Sequence, residues 1–319
     1  RISGLFQRLK SPFDLHIFPS VDFVVPIYKN LPPKSVIILP TESCSGNENS
    51  LNRLALHLLG TQVETNWEHV SHTRISKFLL WGNVHKQTMI GMNTNLREKL
   101  HVVGHPRYDQ KCLMPCQNRE DKHPKLRVGF ITRFDWLNPF DKRNILESIF
   151  NNRRIDGSEL RYWESPNHNI EDIWFTQVLD LRLLFEAIAA CMEEFGAGCS
   201  LSLRVHPRED YSSWRDLISK YLPSVSICDH LVPFAHWAGE QDVLISSPST
   251  SCYDAAILGK CFINTINLSR ELRARHSLPA SDDNDPIFSH FPAPGTLEEL
   301  KQVLKDVKGR KASNSPELI

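Results

Sequence analysis

Short apolar runs alternate along the chain with segments whose apolar positions recur every three or four residues. In the first third, FVVPIY (23–28), SVIILP (35–40), KFLLWG (77–82) and LHVVG (100–104) have the pattern of buried strands. LNRLALHLLG (51–60) and most of VHKQTMIGMNTNLREKL (84–100) have helical spacing. The polar stretch KCLMPCQNREDKHPK (111–125) follows and reads as a linker. A second series starts at LRVGFITRF (126–134). Its strands are CSLSLR (199–204), VSICD (225–229), DVLISS (242–247) and CFINT (261–265). Its helices are expected from Trp174 to Phe195, over 212–222 with a Ser cap, and over 232–240, 252–259 and 297–309. Residues 135–173 show no clear period and read as a loose loop around DWLNPFDKRN, with a short helix at 142–150.

Strands and helices in alternation predict parallel sheets covered on both faces. The fresh start near residue 126 predicts an α/β chain of two Rossmann-like lobes, an N-terminal lobe over 1–118 and a C-terminal lobe over 119–319. A barrel is the alternative, and the linker speaks against it. Open parallel sheets gather ligands beyond the carboxyl ends of their strands. Polar clusters after the strands at 41, 104, 206 and 246 all fall there.

Composition narrows the field. The 319 residues are 41% apolar, and Lys+Arg balances Asp+Glu at 37 each. Net charge thus gives no reason to expect nucleic acid or another polyanion. LLFEAIAACM is interrupted by Glu186 and reads as a buried amphipathic helix rather than a membrane span. The basic stretch KDVKGRK (305–311) suits either peripheral contact with anionic lipid or a solvated helix end. The chain begins RISGLFQRLK, which reads as a fragment or a processed product, with no signal-peptide pattern. Eight Cys lie scattered without a CxxC pair, which predicts free thiols in a cytoplasmic protein and no metal site.

Four clusters carry candidate chemistry. In LISSPSTSCYDAAILG (244–259) a hydroxyl cluster opens a helix. Ser249 or Thr250 suits a cap, and the amides and hydroxyls of Ser249, Thr250 and Ser251 suit a phosphate. Asp254, one turn in, could accept from ribose hydroxyls or favour the helix dipole. A plain capped turn fits the same residues. In RVHPRED (204–210), Arg204 can pair with phosphate oxygens and His206 can donate to a leaving phosphate; structural and surface charges are the alternative. GHPRYD (104–109) offers Arg107 toward a cleft between lobes, or an Arg107–Asp109 ion pair. PTES (40–43) places Glu42 past a strand, as a general base or an ordinary loop acid.

Together these elements resemble the bacterial surface carbohydrate biosynthesis proteins, a family of GT-B-type fold similar to the teichoic acid glycerophosphotransferases and some capsule glycosyltransferases. WG (81–82), VVGHPRYD (102–109), RVHPRE (204–209) and STSCYDAAILGKCFI (249–263) carry the resemblance, over about residues 35–265. Asp254 and Cys261 stand where the family usually has Glu and Pro. The resemblance implies that Arg204, His206 and Glu209 sit by the donor phosphates and sugar. It also implies that Ser249, Thr250 and Ser251 hold phosphate and that Asp254 meets the ribose.

The implied reaction is transfer of a sugar from a nucleotide-activated donor, CMP- or CDP-linked among the candidates, to a growing surface polysaccharide. Glu42 would be the base, and His206 with the helix start would stabilise the leaving phosphate. The nucleotide sugar is a cosubstrate, and no separate cofactor is expected. The expected place is the cytoplasm or the inner face of the membrane. The alternatives are a sugar-nucleotide epimerase, a polyol-phosphate transferase and a non-catalytic nucleotide-sugar-binding module.

Overall fold

The computed structural model describes residues 15–18, 35–38, 75–92, 94–104, 125–144, 152–153, 159–160, 170–276 and 290–313. Two compact units divide the chain, Arg1–Gln110 and Lys111–Ile319.

In the first unit four strands form a parallel sheet in sequential order: β1 (Leu15–Phe18), β2 (Ser35–Ile38), β3 (Ile75–Leu80) and β4 (Leu100–Val102). A helix, α1 (Asn83–Met92), and a 3-10 turn over Thr94–Lys99 cross from β3 to β4. The predicted single helix over 84–100 is therefore two pieces. Buried Phe78, Leu80, Met89 and Leu100 supply the apolar faces. Gly104 leaves β4 at φ 78, a left-handed conformation that glycine adopts without strain. The segments 23–28 and 51–60 lie outside the described residues.

The second unit is built on five parallel strands: β5 (Leu126–Ile131), then, after a short antiparallel pair β6 (Asn152–Arg153) and β7 (Glu159–Leu160), β8 (Cys199–Arg204), β9 (Val225–Ile227), β10 (Val243–Ser246) and β11 (Cys261–Asn264). Their spatial order is β11-β10-β5-β8-β9. The chain starts at the centre, winds outward through β8 and β9, then returns to the other side of β5. The turnover point lies between β5 and β10, where parallel sheets open a crevice at their carboxyl edge.

Helices α2 (Ile170–Phe195), α3 (Tyr211–Tyr221), α4 (Phe234–Glu240), α5 (Ser251–Ile257), α6 (Ile266–Arg275) and α7 (Leu297–Ser313) complete this unit. Val128, Phe130, Leu201, Leu203, Val243, Ile245 and Ile263 form one face of the sheet, in one cluster with Leu184 and Ile188 of α2 and Leu300 and Leu304 of α7. On the other face Leu244 and Phe262 cluster with Trp237 and Ala238 of α4 and Cys252 and Ala255 of α5. Burial on both faces is why these strands read as continuous apolar runs. Each fully buried aliphatic side chain contributes about 1.5–3 kcal/mol.

Gly129 sits mid-strand because α4 needs the room. A Cβ there would lie 2.8 Å from Gln241 Cγ and 2.9 Å from the Trp237 ring. The Trp237 indole reaches across it and donates to Ser202 Oγ at 2.9 Å. α3 begins one residue before the predicted start, and its cap is Asp210 rather than a Ser. Asp210 accepts from the Ser212 amide and from the hydroxyls of Ser212 and Ser213. The basic stretch 305–311 lies against α2 for part of its length. Lys305 pairs with Glu194 at 3.0 Å, and Lys308 lies over the Phe195 ring. Among the described residues no helix is long and apolar enough to cross a membrane, and the five described cysteines are free thiols.

The expected fold class is observed: an α/β chain with two parallel sheets, the kind of unit from which GT-B-type architectures are assembled.

Candidate functional site

The loops that follow β5, β8, β10 and β11 meet at the carboxyl edge of the second sheet. Three of them carry the groups with chemistry. After β5 come Thr132 and Arg133, after β8 comes His206, and after β10 comes the run from Ser247 to Ser251.

The β5 and β8 loops are stitched together. Ile131 pairs with Arg204 at the last rung of the ladder. Beyond it the Thr132 amide donates to the Arg204 carbonyl at 3.0 Å. In a continuing parallel ladder the His206 amide would next reach the Thr132 carbonyl. It donates instead to Thr132 Oγ1, at 2.9 Å. The Thr132 hydroxyl in turn donates to Glu209 Oε1 at 2.8 Å. Glu209 also accepts from the Phe134 amide at 2.9 Å and, on Oε2, from Trp214 Nε1 at 2.6 Å.

Glu209, expected beside the donor, is 2% exposed and has both oxygens engaged by the protein's own donors. Burial pushes its carboxyl up to about 7, against the pull of three hydrogen bonds toward the ionised form. The stretch read from sequence as a loose loop is held by the same partners. Asn138 and Asp210 exchange a backbone bond and a side-chain bond, the Phe140 amide reaches the Arg208 carbonyl, and Arg208 pairs with Asp135 at 3.2 Å. The Gln177 carboxamide receives the Trp136 and Leu137 amides and donates to Asp135. Residues 142–144 are not helical.

Arg204 is 8% exposed, and its guanidinium donates to the Asp229 carbonyl at 2.8 Å and to Cys228 Sγ at 3.1 Å, bracing the loop after β9. His206 is half-buried, and its Nδ1 accepts from the Arg208 amide at 3.2 Å. An accepting Nδ1 puts the proton of the neutral ring on Nε2, as a donor.

The β10 loop is cross-tied to β5 by Arg133, whose Nη1 donates to the Pro248 carbonyl. This places an exposed guanidinium next to the hydroxyl cluster. Ser249, not Thr250, receives a first-turn amide of α5: Ser249 Oγ accepts from the Ser251 amide at 3.3 Å and shares a bond with Ser251 Oγ at 3.0 Å. Thr250 makes no side-chain cap bond. Asp254 is 1% exposed, within the first turn of α5. Helix α5 ends on Gly259 at φ 62, whose amide returns to Ala256. Behind these loops a recess is lined by Ile131, Phe134, Asp180, Ser246, Ser247 and Thr265. Ser246 Oγ and Asn264 Nδ2, on paired residues of β10 and β11, are buried without a protein hydrogen bond.

The structure therefore brings Arg204, His206, Glu209, Ser249, Thr250, Ser251 and Asp254 to one sheet edge. Glu42 and Arg107 lie outside the described residues. Thr132 and Arg133 escaped the sequence reading. The available signal was two polar residues directly after the apolar run LRVGFI, where a parallel strand ends.

No family model matches the sequence, and comparison with curated proteins finds no match. Comparison with solved structures finds matches at low identity. UDP-GlcNAc 2-epimerase of Methanocaldococcus jannaschii, in complex with UDP-GlcNAc and UDP, is 12% identical, with 90% of this chain and 72% of that one covered and a TM-score of 0.42. The S. aureus MnaA–UDP co-structure is 11% identical over 100% of this chain and 81% of that one, with a TM-score of 0.45. The H444N variant of the wall teichoic acid polymerase TagF is 13% identical over 89% and 71%, with a TM-score of 0.40. At this distance function has to be argued from the site.

Proposed function

We propose that the chain is a sugar-nucleotide-processing enzyme whose C-terminal unit holds the donor diphosphate at the carboxyl edge of its sheet. The observation that carries the reading is the convergence of Arg133, His206 and the Ser249–Ser251 hydroxyls around the point where the strand order turns over. Arg133 supplies a positive charge, the His206 Nε2–H a directed donor, and the hydroxyls and loop amides further donors. Such a set suits the negative charge that grows on a diphosphate as its bond to the anomeric carbon breaks. Asp254 contributes to the first turn of α5 from within, and Glu209 and Arg204 act as anchors of the loops rather than as ligands. Glu42 is the proposed base for an acceptor hydroxyl.

Bond cleavage at the anomeric carbon is common to transfer onto a glycan and to rearrangement of the sugar itself. The residues at this site serve that common step. Sugar-nucleotide epimerisation and transfer to a surface polysaccharide are thus both reactions of the proposed class.

Calorimetric titration with CMP, CDP, UDP and GDP tests the reading, with His206→Ala as control. At least one diphosphate should bind to the wild type and bind more weakly to the variant. Binding of none would overturn the nucleotide site, and equal binding to the variant would remove His206 from it. Release of nucleotide from the matching sugar donor, followed with and without an oligosaccharide acceptor, separates transfer from rearrangement.

A further inference from the structure

We propose that Thr132 is the positioning residue for His206: its hydroxyl replaces a rung of the sheet ladder and holds the His206 loop in register beyond the last strand residue. The role of His206 toward a phosphate rests on the functional reading above; the mechanical role of Thr132 does not.

The observations are these. Thr132 is 1% exposed, so its hydroxyl bonds form out of competition with water. Its amide takes the Arg204 carbonyl, its Oγ1 takes the His206 amide, and the hydroxyl proton goes to Glu209 Oε1. One residue thus holds the start, the middle and the end of the 204–209 loop. The hydroxyl has a single proton, and the Arg204 carbonyl, at 3.4 Å, is a more distant acceptor than Glu209 Oε1 at 2.8 Å. A proton directed to Glu209 leaves an oxygen lone pair for the His206 amide, so the Glu209 carboxylate orients the hydroxyl that orients His206. Trp214 Nε1 and the Phe134 amide fix that carboxylate from the other side. The charged group that acts on it is Asp135 after β5, itself paired with Arg208 of the loop.

The arrangement also explains a departure from regular structure. With the Thr132 carbonyl the ladder would continue and His206 would lie in the strand. With the side-chain oxygen the loop turns off after Val205, and the Arg208 amide can close onto the ring at Nδ1. The ring keeps its proton on Nε2 because the loop returns to it.

The test uses the full chain labelled with 15N-histidine, the His206 signals being assigned by their loss in His206→Gln. Three proteins are compared: wild type, Thr132→Val, which keeps the shape and removes the hydroxyl, and Thr132→Ser, which keeps the hydroxyl. Amide exchange at His206 should be at least about tenfold faster in the Val variant and near wild type in the Ser variant, since opening of a single bond sets the local protection. The ring 15N shifts should report the Nε2–H form in wild type and Ser and a mixture of tautomers in Val. Calorimetry then compares a nucleoside diphosphate with its nucleoside, using the base that binds best among CMP, CDP, UDP and GDP. The Val variant should lose roughly tenfold for the diphosphate alone, the range of one hydrogen bond to a charged group, and Ser should restore it.

His206 exchange and ring shifts unchanged in Thr132→Val would overturn the proposal, whatever binds. If no nucleotide binds the wild type, the functional reading falls while the exchange and ring data still decide the role of Thr132. Should Thr132→Val not fold, Thr132→Cys, with its weaker acceptor, goes through the same measurements. Wild-type values there would count equally against the proposal.

Discussion

Replacing Glu209 by Gln should remove the contribution of this carboxyl to the pH dependence of stability, expected between about pH 4.5 and 7. Glu209 is buried against Trp214, Phe134 and Thr132, and burial lifts its carboxyl from 4.5 to about 7. A carboxyl whose value is raised on folding binds its proton more tightly in the folded state. Below the unfolded value both states are protonated and the full benefit is present. As pH rises the unfolded chain releases the proton first, so stability falls until the folded value is passed. A rise of this size corresponds to about 3 kcal/mol at roughly 1.4 kcal/mol per pH unit. Gln cannot titrate, so its curve lacks this slope. It also turns an amide N–H toward Trp214 Nε1–H, where Oε2 accepted before, at a cost of about 1–3 kcal/mol. The variant should therefore be less stable than wild type at pH 5, and the gap should close or reverse by pH 8. Urea unfolding of both proteins at pH 5, 6, 7 and 8, followed by tryptophan fluorescence, measures the difference, in which other titrating groups cancel. A difference independent of pH would refute the reasoning and show Glu209 to be ionised throughout.

Gly129→Ala should destabilise the second unit by about 1–3 kcal/mol, because the new methyl meets the Trp237 ring and Gln241 Cγ inside van der Waals distance; the urea midpoint falls, and an unchanged midpoint would show that α4 can retreat. Asp210→Ala should cost about 1 kcal/mol through loss of the α3 cap, seen in the same assay, with Asp210→Asn recovering most of it. Arg133→Met, which keeps the apolar stem and removes the cation, should weaken nucleoside diphosphate binding roughly tenfold, about 1.4 kcal/mol, and lower stability by about 0.5–1.5 kcal/mol through loss of the bond to the Pro248 carbonyl, as calorimetry and a thermal melt would report.

Much of the fold was legible because its strands are buried on both faces. LRVGFI and DVLIS read as strands from apolar density, CSLSLR from apolar residues at every second position, and their alternation with amphipathic helices carried the parallel topology. Helix α6 was missed because its inward side includes Ser269 and Arg273, the latter paired with Asp180 of α2, so its apolar spacing is faint. The cap of α3 was misplaced by two residues, since Asp210 and Ser212 both suit the position and only backbone geometry selects between them. The segment 135–144 looked loose because its partners, Gln177 and the 206–210 loop, lie far along the chain.

The same division runs through the site. By itself the sequence determined that polar groups would follow the apolar strands, and it singled out His206 and the serine cluster. Strand ends are local events, written in the change from apolar to polar residues. Only the tertiary structure decided what each polar group would do. Glu209 lies three residues from His206 in the chain, yet its occupation is set by Thr132, 77 residues away. Its oxygens face three donors in a dry interior, so it anchors the loop. Burial and long-range hydrogen bonds, which no local pattern encodes, separate a side chain that holds the site together from one that can meet a substrate.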